Sequence, residues 1–370
     1  MRKSKAAVCH KTGGPFVLED IEVSDPGPGE VLVRMVASGV CHSDWGKATG
    51  KIPTDLGMPA VYGHEGAGIV EELGPGVTKL SQGDHVMLSW ITSCGACYYC
   101  QRDLASQCEK NRNSHNIGRG IDGQTRLWLN GQPLTQFGNF STFTEYAVVP
   151  EQACISLDPE VSFKSASLVS CAVMTGIGSA VYTAKVKPGE KVAVFGCGGV
   201  GLNIIQGAAI CGAELIVGID KFPSKLESAK QFGANHTIDA NEDVEKILRD
   251  LTDGRGVDHT FDSTGNPAVQ EIAILPLRRR GTLTLVGVAP HDAKVTFDTF
   301  RMHCEETKVQ GCFYGTGNNR RDFLWIIELY KSGRIKLDEL ISKVYPLEQI
   351  NEVFEDMLSG KINRGVLSFN

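Results

Sequence analysis

A glycine-rich turn between an apolar strand and a helix restricts most strongly how this chain can fold. Residues 191–195 predict a short β-branched strand, and residues 202–209 predict a helix. Between them, Gly196, Gly198 and Gly201 have the G-x-G-x-x-G spacing. The first glycine permits a tight turn, the second lets the backbone approach a pyrophosphate, and the third packs the helix against the strand. Unpaired N–H groups and the dipole at the start of the helix favour bound phosphate.

A second strand strengthens this interpretation, because the glycine spacing alone is a weak signal. Residues 215–219 are apolar and end in Asp220. This acid lies about 20 residues beyond the glycines, where the ribose 2′-hydroxyl of a dinucleotide would be held. A carboxylate at this position also repels a 2′-phosphate. The sequence therefore predicts that NAD is preferred over NADP.

Length and composition predict two domains and limit the partners. The chain has 370 residues, of which 42% are hydrophobic, enough for two cores. Its net charge is −6 and no basic patch is present, so we expect no nucleic-acid partner. The basic N-terminal residues are not followed by an apolar segment, and no run approaches the length of a membrane span. We therefore expect a cytoplasmic protein with no membrane partner.

The order of the predicted elements divides the chain. Gly- and Pro-rich turns separate short strands up to residue 149, which predicts an all-β, barrel-type domain. Between residues 191 and 288, strands alternate with helices, which predicts a parallel sheet covered by helices on both faces. The expected class is α/β. The predicted domains are residues 1–173, residues 174–313 and a C-terminal part, residues 314–370.

Four cysteines cluster in a lobe at about residues 90–110. Cys94, Cys97, Cys100 and Cys108 have the spacing C-x2-C-x2-C-x7-C. Thiolates this close in sequence can hold one tetrahedral Zn²⁺, and a site filled by four of them is structural. An iron–sulfur cluster is the alternative that the spacing also suits. In a chain of this length, clustered cysteines more often bind metal than form disulfides.

A second group of ligand-type side chains is dispersed along the chain. Its members are Cys41-His42-Ser43-Asp44, Gly63-His64-Glu65 and Cys171. Two thiolates, an imidazole and a carboxylate match catalytic zinc, where three protein ligands leave one position open. Asp44 is a candidate to orient the ligand histidine.

Together these motifs resemble the zinc-dependent, medium-chain alcohol dehydrogenases over essentially the whole chain. The matching residues include Gly66 and Gly68 after Glu65, the four-cysteine lobe and the glycine-rich turn. The resemblance implies a GroES-like, β-barrel-type catalytic domain, a Rossmann doubly wound domain that binds NAD, and a C-terminal tail that returns to the catalytic domain. The loop 111–140 is similar to the branch of animal-type and glutathione-dependent formaldehyde dehydrogenases.

The resemblance also implies a role for each matching residue. Cys41, His64 and Cys171 would bind catalytic zinc, with Glu65 behind the metal and able to exchange onto it. Ser43 would hydrogen-bond the alcohol. Two zinc ions per chain are therefore expected, together with NAD. The residues implied to contact NAD are His42, Thr175, Gly196, Gly198, Gly199, Val200, Gly201, Asp220, Lys225, Val288 and Arg364.

The implied alcohol channel is lined by aromatic residues. By resemblance, Trp90, Phe137 and Val288 line it, and Trp45 lies at its inner edge. Such walls favour medium-sized aromatic, allylic or aliphatic primary alcohols over polyols, whose hydroxyls would stay unpaired. The alternative is that Trp45 and Trp90 only pack the domain core.

The implied reaction is reversible oxidation of a primary alcohol to an aldehyde, with hydride transfer to NAD and a proton leaving through Ser43. In many relatives a histidine ends the proton path a few residues beyond the Cys-His/Arg-Ser/Thr-Asp motif, but here Gly46 occupies that position. Water or His42 is then the next acceptor. Gly46→His is expected to speed oxidation near neutral pH, where an imidazole accepts protons.

Other functions compete with this one. A dehydrogenase for a thiol adduct of formaldehyde fits the branch, although no cluster of charges for a glutathione-like group stands out. A non-catalytic nicotinamide sensor predicts a missing metal ligand, and none is missing. A scaffold that uses the zinc lobe would not need Ser43 or Cys171.

No role is assigned to His10, His85, His115, His236, His259, His291 and His303. The remaining cysteines, taken as small apolar fillers, are Cys9, Cys154, Cys197, Cys211, Cys304 and Cys312.

The predicted assembly is a homodimer, with a tetramer as the second choice. Residues 281–288 and 294–297 are expected to bring a strand to the edge of the parallel sheet. Pairing of two such edges across a two-fold axis would protect them.

Overall fold

A computed structural model describes residues 1–52 and 57–369 and divides the chain into two compact units. Unit 1 consists of Met1–Cys171, Asn318–Lys331 and Leu337–Asn370. Unit 2 consists of Ala172–Gly317 and Ser332–Lys336. The chain therefore leaves unit 1 twice and returns to it twice, and its C-terminal part belongs to unit 1, as the resemblance implied.

The first segment of unit 1 is built from short strands separated by turns. A Pro- and Gly-rich turn precedes the third strand, and Gly29 within it has a φ of +71°, which glycine adopts without a steric cost. The strands are β1 (Arg2–Cys9), β2 (Phe16–Val23), β3 (Glu30–Gly39), β4 (Ala60–Val61), β5 (Glu65–Leu73), β6 (His85–Leu88), β7 (Leu127–Leu129), β8 (Gln132–Pro133), β9 (Tyr146–Pro150) and β10 (Cys154–Ser156). The helices are α1 (His42–Ala48), α2 (Glu109–Ile117) and α3 (Phe163–Leu168).

Unit 2 alternates strands with helices. Its strands are β11 (Lys191–Phe195), β12 (Leu215–Asp220), β13 (His236–Asp239), β14 (Val257–Asp262), β15 (Leu277–Leu285) and β16 (Lys308–Gly311). Its helices are α4 (Met174–Gly178), α5 (Gly199–Ile210), α6 (Pro223–Gln231), α7 (Val244–Asp250), α8 (Pro267–Ala273) and α9 (Thr299–Glu305). The sheet is parallel, in the order β13-β12-β11-β14-β15-β16. This is the doubly wound order, which confirms the predicted Rossmann domain.

The two later segments of unit 1 add α10 (Asn319–Lys331), β17 (Ile341–Pro346), α11 (Ile350–Leu358) and β18 (Arg364–Ser368). Strand β18 pairs with β3 and so completes a seven-stranded sheet, β10-β6-β5-β3-β18-β17, in which β9 also pairs with β3. A second sheet of unit 1 has the order β4-β1-β2-β7-β8. In the core beside it, the ring of Phe16 stacks on Phe354 at 5.2 Å and meets Tyr62 edge-on at 6.2 Å.

The edge of the parallel sheet differs from the sequence-based expectation. Strand β15 lies between β14 and β16, so the segment 281–288 supplies an internal strand. Residues 294–297 form no strand, and the edge is β16 instead. The reason is that β15 donates and accepts ladder hydrogen bonds on both sides, which leaves the open edge to the next strand along the chain.

One helical segment is longer and more apolar than expected. The helix Phe163–Ala184 contains α3, α4 and two π-helical turns, and its 22 residues are apolar enough to cross a membrane. The expectation that no run approaches a membrane span was therefore wrong. However, 78% of its most apolar window is buried inside the protein, as in the core helix of a globular fold.

Candidate active site and metal centres

Four buried ligand-type residues of unit 1 converge from three places in the fold. Cys41 is the N-cap of α1, and Glu65 begins β5 directly after His64. Cys171 lies in the π-helical turn Val169–Val173. One ligand atom from each residue lies within 4.8 Å of the other three. The structure thus brings together residues that are dispersed in the sequence.

Asp44 connects the segment of Cys41 with the segment of His64. Its Oδ1 accepts the Gly63 N–H at 3.0 Å and lies 2.9 Å from His64 Nδ1, while its Oδ2 accepts the Cys41 N–H at 3.2 Å. Because Nδ1 is engaged by a carboxylate, the Nε2 lone pair of His64 is left for a metal ion. This is the orienting role that the sequence suggested for Asp44.

The two thiols of the site share a hydrogen bond. The Cys171 thiol lowers the pKa of Cys41 well below its usual range, and the same contact raises the pKa of Cys171. A thiolate is therefore already favoured at Cys41. Since thiolates are the form that binds zinc, this thiol pair suits the metal.

Glu65 lies beside the thiols and pairs with Arg364. Both side chains are buried, with 0% and 6% exposure, and Arg364 Nη2 donates to Glu65 Oε2. Burial raises the pKa of Glu65 to about 7, against the opposing effect of Arg364. Glu65 Oε1 and Arg364 Nε are buried without a hydrogen-bond partner in the described part of the chain. A free carboxylate oxygen among two sulfurs and an imidazole fits Zn²⁺. Contact between Arg364 and a pyrophosphate stays a prediction.

The four-cysteine lobe also converges. The sulfurs of Cys94, Cys97, Cys100 and Cys108 lie within 4.8 Å of one another, and the Cys94 N–H donates to Cys108 Sγ at 3.3 Å. Burial raises the pKa of Cys97, but hydrogen bonds from the backbone of Cys100 and Glu109 outweigh it and lower the value to about 6. Four sulfurs with no further ligand-type residue in the group match a closed, structural zinc site.

Two of the predicted channel aromatics contact the ligand histidine. Phe137 stacks on the His64 ring at 4.2 Å, and Trp90 meets that ring edge-on at 5.8 Å. Trp45 instead lies 5.7 Å from the ring of Phe354 and packs against the core of unit 1. Trp90 packs against the same core, so core packing does not separate the two tryptophans, and the place of Trp45 at the inner edge of the channel stays a prediction.

The residues on α1 around the ligand Cys41 have different exposures. His42 is exposed, and Ser43 is partly buried. Ser43 Oγ lies 3.7 Å from Cys41 Sγ, so the hydroxyl stands beside a ligand atom. Gly46 is buried, and a Cβ there would lie 2.6 Å from Ile52 Cδ1.

Sequence reasoning missed a pair next to this cluster, formed by the buried Lys47 and the partly exposed His115. Lys47 Nζ lies 2.7 Å from His115 Nε2 and 4.3 Å from the centroid of the Phe137 ring. His115 also lies 5.2 Å from the Trp90 ring. The sequence assigned no role to His115, because its partners lie far from it along the chain. The available signal was the one-turn spacing from Ser43 to Lys47 on α1.

The glycine-rich turn of unit 2 has the geometry that its spacing predicts. Gly196 has a φ of +92°, and a Cβ on Gly201 would lie 1.8 Å from the Gly196 carbonyl oxygen. A Cβ on Gly198 would meet nothing within 4 Å. The open space at Gly198, directly before α5, is where a pyrophosphate fits against the backbone.

Other residues implied to contact NAD lie around this turn or elsewhere in unit 2. Asp220 Oδ2 accepts the Cys197 N–H at 2.8 Å, which places the carboxylate beside the turn. Lys225 is buried on α6, where burial lowers its pKa and Asp220 opposes that effect. The other positions are Gly199 and Val200 at the start of α5, Thr175 on α4 and Val288 after β15 with 63% exposure.

Comparisons with known proteins agree with this geometry. The alcohol dehydrogenase GroES-like domain model matches residues 27–159, and the zinc-binding dehydrogenase model matches residues 199–332. The chain is 38% identical to alcohol dehydrogenase class-3 of Dictyostelium discoideum, over 98% of this chain and 97% of that protein. It is also 38% identical to S-(hydroxymethyl)glutathione dehydrogenase of Synechocystis sp., over 99% and 100% of the two chains.

A solved structure is similar along the whole chain. Benzyl alcohol dehydrogenase from Acinetobacter calcoaceticus superposes with a TM-score of 0.94 and 30% identity, covering 100% of both chains. The predicted resemblance and fold are confirmed. This chain belongs to the family of zinc-dependent, medium-chain alcohol dehydrogenases.

Proposed function

We propose that this enzyme oxidises medium-sized aromatic, allylic or aliphatic primary alcohols to aldehydes with NAD, and reduces the aldehydes in reverse. The observation that carries the proposal is the buried group Cys41, His64, Glu65 and Cys171, with the Ser43 hydroxyl beside it. Cys41, His64 and Cys171 would hold the catalytic zinc. When bound, zinc supplies a Lewis acid that lowers the pKa of an alcohol hydroxyl, and NAD supplies the hydride acceptor.

The protein's own residues position the reactants and move the proton. Asp44 keeps His64 in one tautomer, and Ser43 Oγ receives the proton of the alcohol while it passes its own proton on. In unit 2, the turn from Gly196 to Gly201 and the carboxylate of Asp220 would bind the pyrophosphate and adenosine ribose of NAD. The protein thus contributes to catalysis by orienting the reactants and by its electrostatics.

An aromatic substrate is supported by the rings at His64. Phe137 and Trp90 pack on this ligand, and flat apolar walls accept planar substrates more readily than polyols. The similar structure of a benzyl alcohol dehydrogenase supports the same class. A second candidate substrate is S-(hydroxymethyl)glutathione, which is favoured by the 38% identity to a dehydrogenase named for it.

A substrate panel tests both candidates. NADH formation would be followed with benzylic, allylic and aliphatic alcohols, with glycerol and sorbitol, and with formaldehyde in the presence and absence of glutathione. We expect the highest kcat/KM for an aromatic or allylic alcohol, and Ser43→Ala should abolish most of this activity. A preference for polyols would contradict the proposed substrate class. Activity on formaldehyde that requires glutathione would instead select the second candidate.

We also propose that the enzyme is a cytoplasmic homodimer. The edge strand β16 is short, and the apolar side chains Phe300, Phe313 and Val288 of unit 2 are exposed by 76%, 47% and 63%. Pairing across a two-fold axis would cover such an edge. Light scattering at micromolar concentration should give a dimer, and a monomer would contradict it. Fractionation of the source cells should place the enzyme in the cytoplasm.

A further inference from the structure

Lys47 is a buried cationic residue one helical turn beyond Ser43. Both residues lie on α1, and their i, i+4 spacing places them on the same face of this helix. Lys47 is only 6% exposed, and its Nζ lies against the His115 imidazole and over the Phe137 ring. The amine therefore belongs to the ring cluster around the ligand His64.

No carboxylate of the described residues hydrogen-bonds the Lys47 amine. Among the residues that the structure describes, its hydrogen-bond partner is His115, and the oxygens of Asp44 are occupied by His64 and by two backbone N–H groups. Burial lowers the pKa of Lys47 to about 7, and Asp44 only partly opposes this effect. Burial lowers the pKa of His115 well below its usual range, and the charges of Lys47 and His64 add to this effect. At neutral pH, Lys47 is thus divided between amine and ammonium beside a neutral imidazole.

A proton acceptor is missing from the predicted path beyond Ser43. Gly46 has no side chain, and Ser43 cannot store a proton because its hydroxyl must lose one as it gains one. A base with a pKa near the working pH is the most effective acceptor, and lysine reaches that range when it is buried. His115, the partner of Lys47, is partly exposed, so solvent contacts part of this side chain.

We propose that Lys47, held by His115, accepts the proton that leaves Ser43 during alcohol oxidation and delivers it to solvent. The inference rests on the proposed alcohol oxidation. Bound NAD would take the hydride with its electron pair, so the chain has to move only the hydroxyl proton, which passes to Ser43 Oγ. The Ser43 proton moves to the Lys47 amine, directly or through one solvent molecule, and the ammonium returns to the amine when His115 passes the proton to solvent. Aldehyde reduction runs the same steps in reverse.

The pH dependence follows from which form of Lys47 is needed. Oxidation requires the amine, which is present above a pH of about 7, so its kcat should rise through that pH. Reduction requires the ammonium, so its kcat should fall through the same pH. The titratable groups that face Lys47 are His115 on α2, Asp44 on α1 and, across the Phe137 ring, His64 before β5.

Two substitutions of Lys47 test the proposal. Lys47→Met keeps the apolar stem and removes the amine, and it should lower kcat for oxidation at pH 7 by about 100-fold with little change in KM. Lys47→Arg keeps a positive charge that is not lost near neutral pH, so the side chain cannot accept a proton. This variant should lose oxidation throughout the neutral pH range. In both variants the pH dependence near 7 should disappear, and added methylamine should restore part of the rate of Lys47→Met.

Controls separate this role from folding and from the proposed function. Lys11→Met removes an exposed lysine of unit 1 and should behave like the unmodified enzyme. Zinc content, NADH binding and thermal melting are measured for every variant. If Lys47→Met does not fold, the kcat and pH profile of Lys47→Arg test the proposal. The proposal is overturned if a folded Lys47 variant keeps the kcat and the pH profile of an unmodified enzyme that does oxidise alcohols. A lack of any turnover by the unmodified enzyme would instead contradict the proposed function.

Discussion

Asp44 Oδ1 lies 2.9 Å from His64 Nδ1, and this contact determines which nitrogen of the ligand histidine is available to a metal ion. The carboxylate is fully buried and also accepts the N–H groups of Cys41 and Gly63. One side chain therefore sets the tautomer of one zinc ligand and the backbone position of another. Hydrogen bonds between Asp44 and the ligand residues therefore support the metal centre, in addition to the ligands themselves.

Asp44→Asn should weaken zinc binding at the buried site. The asparagine amide has nearly the same shape as the carboxylate. Its NH₂ group, however, can only donate, so it would face a backbone N–H or the His64 ring without accepting a hydrogen bond from it. We expect about a 10- to 100-fold loss of zinc affinity at this site and no change at the four-cysteine lobe. Chelator competition with metal analysis would measure the loss. Asp20→Asn on the exposed side of β2 is the matched control, and equal zinc retention by both variants would contradict the orienting role.

Replacing one cysteine in each cluster should have different consequences. Cys171→Ser should remove the zinc of the buried site and abolish turnover while the chain still folds. Cys97→Ser should remove the other zinc and lower the melting temperature, because structural zinc contributes folding free energy. Elemental analysis of the unmodified enzyme should give two zinc ions per chain, with exposed Cys304→Ser as the control. Finding iron, or a single zinc, would show that the two-zinc assignment is wrong.

Asp220→Gly should erode the preference for NAD. The carboxylate stands beside the glycine-rich turn, where it would repel the 2′-phosphate of NADP. We expect the ratio of kcat/KM for NAD to that for NADP to fall about tenfold, which corresponds to about 1.4 kcal/mol. Asp239→Asn, at the end of the neighbouring strand β13, should leave the ratio unchanged. Equal efficiency of the unmodified enzyme with both cofactors would refute the preference.

Gly46→His should not give the faster oxidation that the sequence suggested. A Cβ at this position would lie 2.6 Å from Ile52 Cδ1 and 2.8 Å from Ile52 Cγ1, so any side chain must displace Ile52. Gly46→Ala should cost about 1–3 kcal/mol of stability. In an Ile52→Ala background, the same Gly46→Ala change should cost much less, as thermal or urea unfolding would show. A stable and faster Gly46→His enzyme would contradict this steric reason.

The local spacing of residues determined much of this protein in advance. The glycine-rich turn, the strand that ends in Asp220 and the four-cysteine lobe are each formed by neighbours in the sequence, so their geometry follows from the residues between them. The parallel sheet was likewise predictable, because alternating strands and helices have few topologies available. The family and fold were predicted correctly from these signals. The individual contacts to zinc, NAD and substrate stay predictions.

Only the tertiary structure decided which distant residues meet. Glu65 and Arg364 are 299 positions apart, and Lys47 and His115 are 68 apart, so no spacing rule could pair them. The contact between Trp45 and Phe354 likewise depends on the return of the chain to unit 1. Burial among such long-range neighbours sets the charge state of a side chain, because it removes water from around that group. The sequence alone therefore determined which ligands and turns are present, whereas the packing of distant segments decided where Lys47 lies and what it can do.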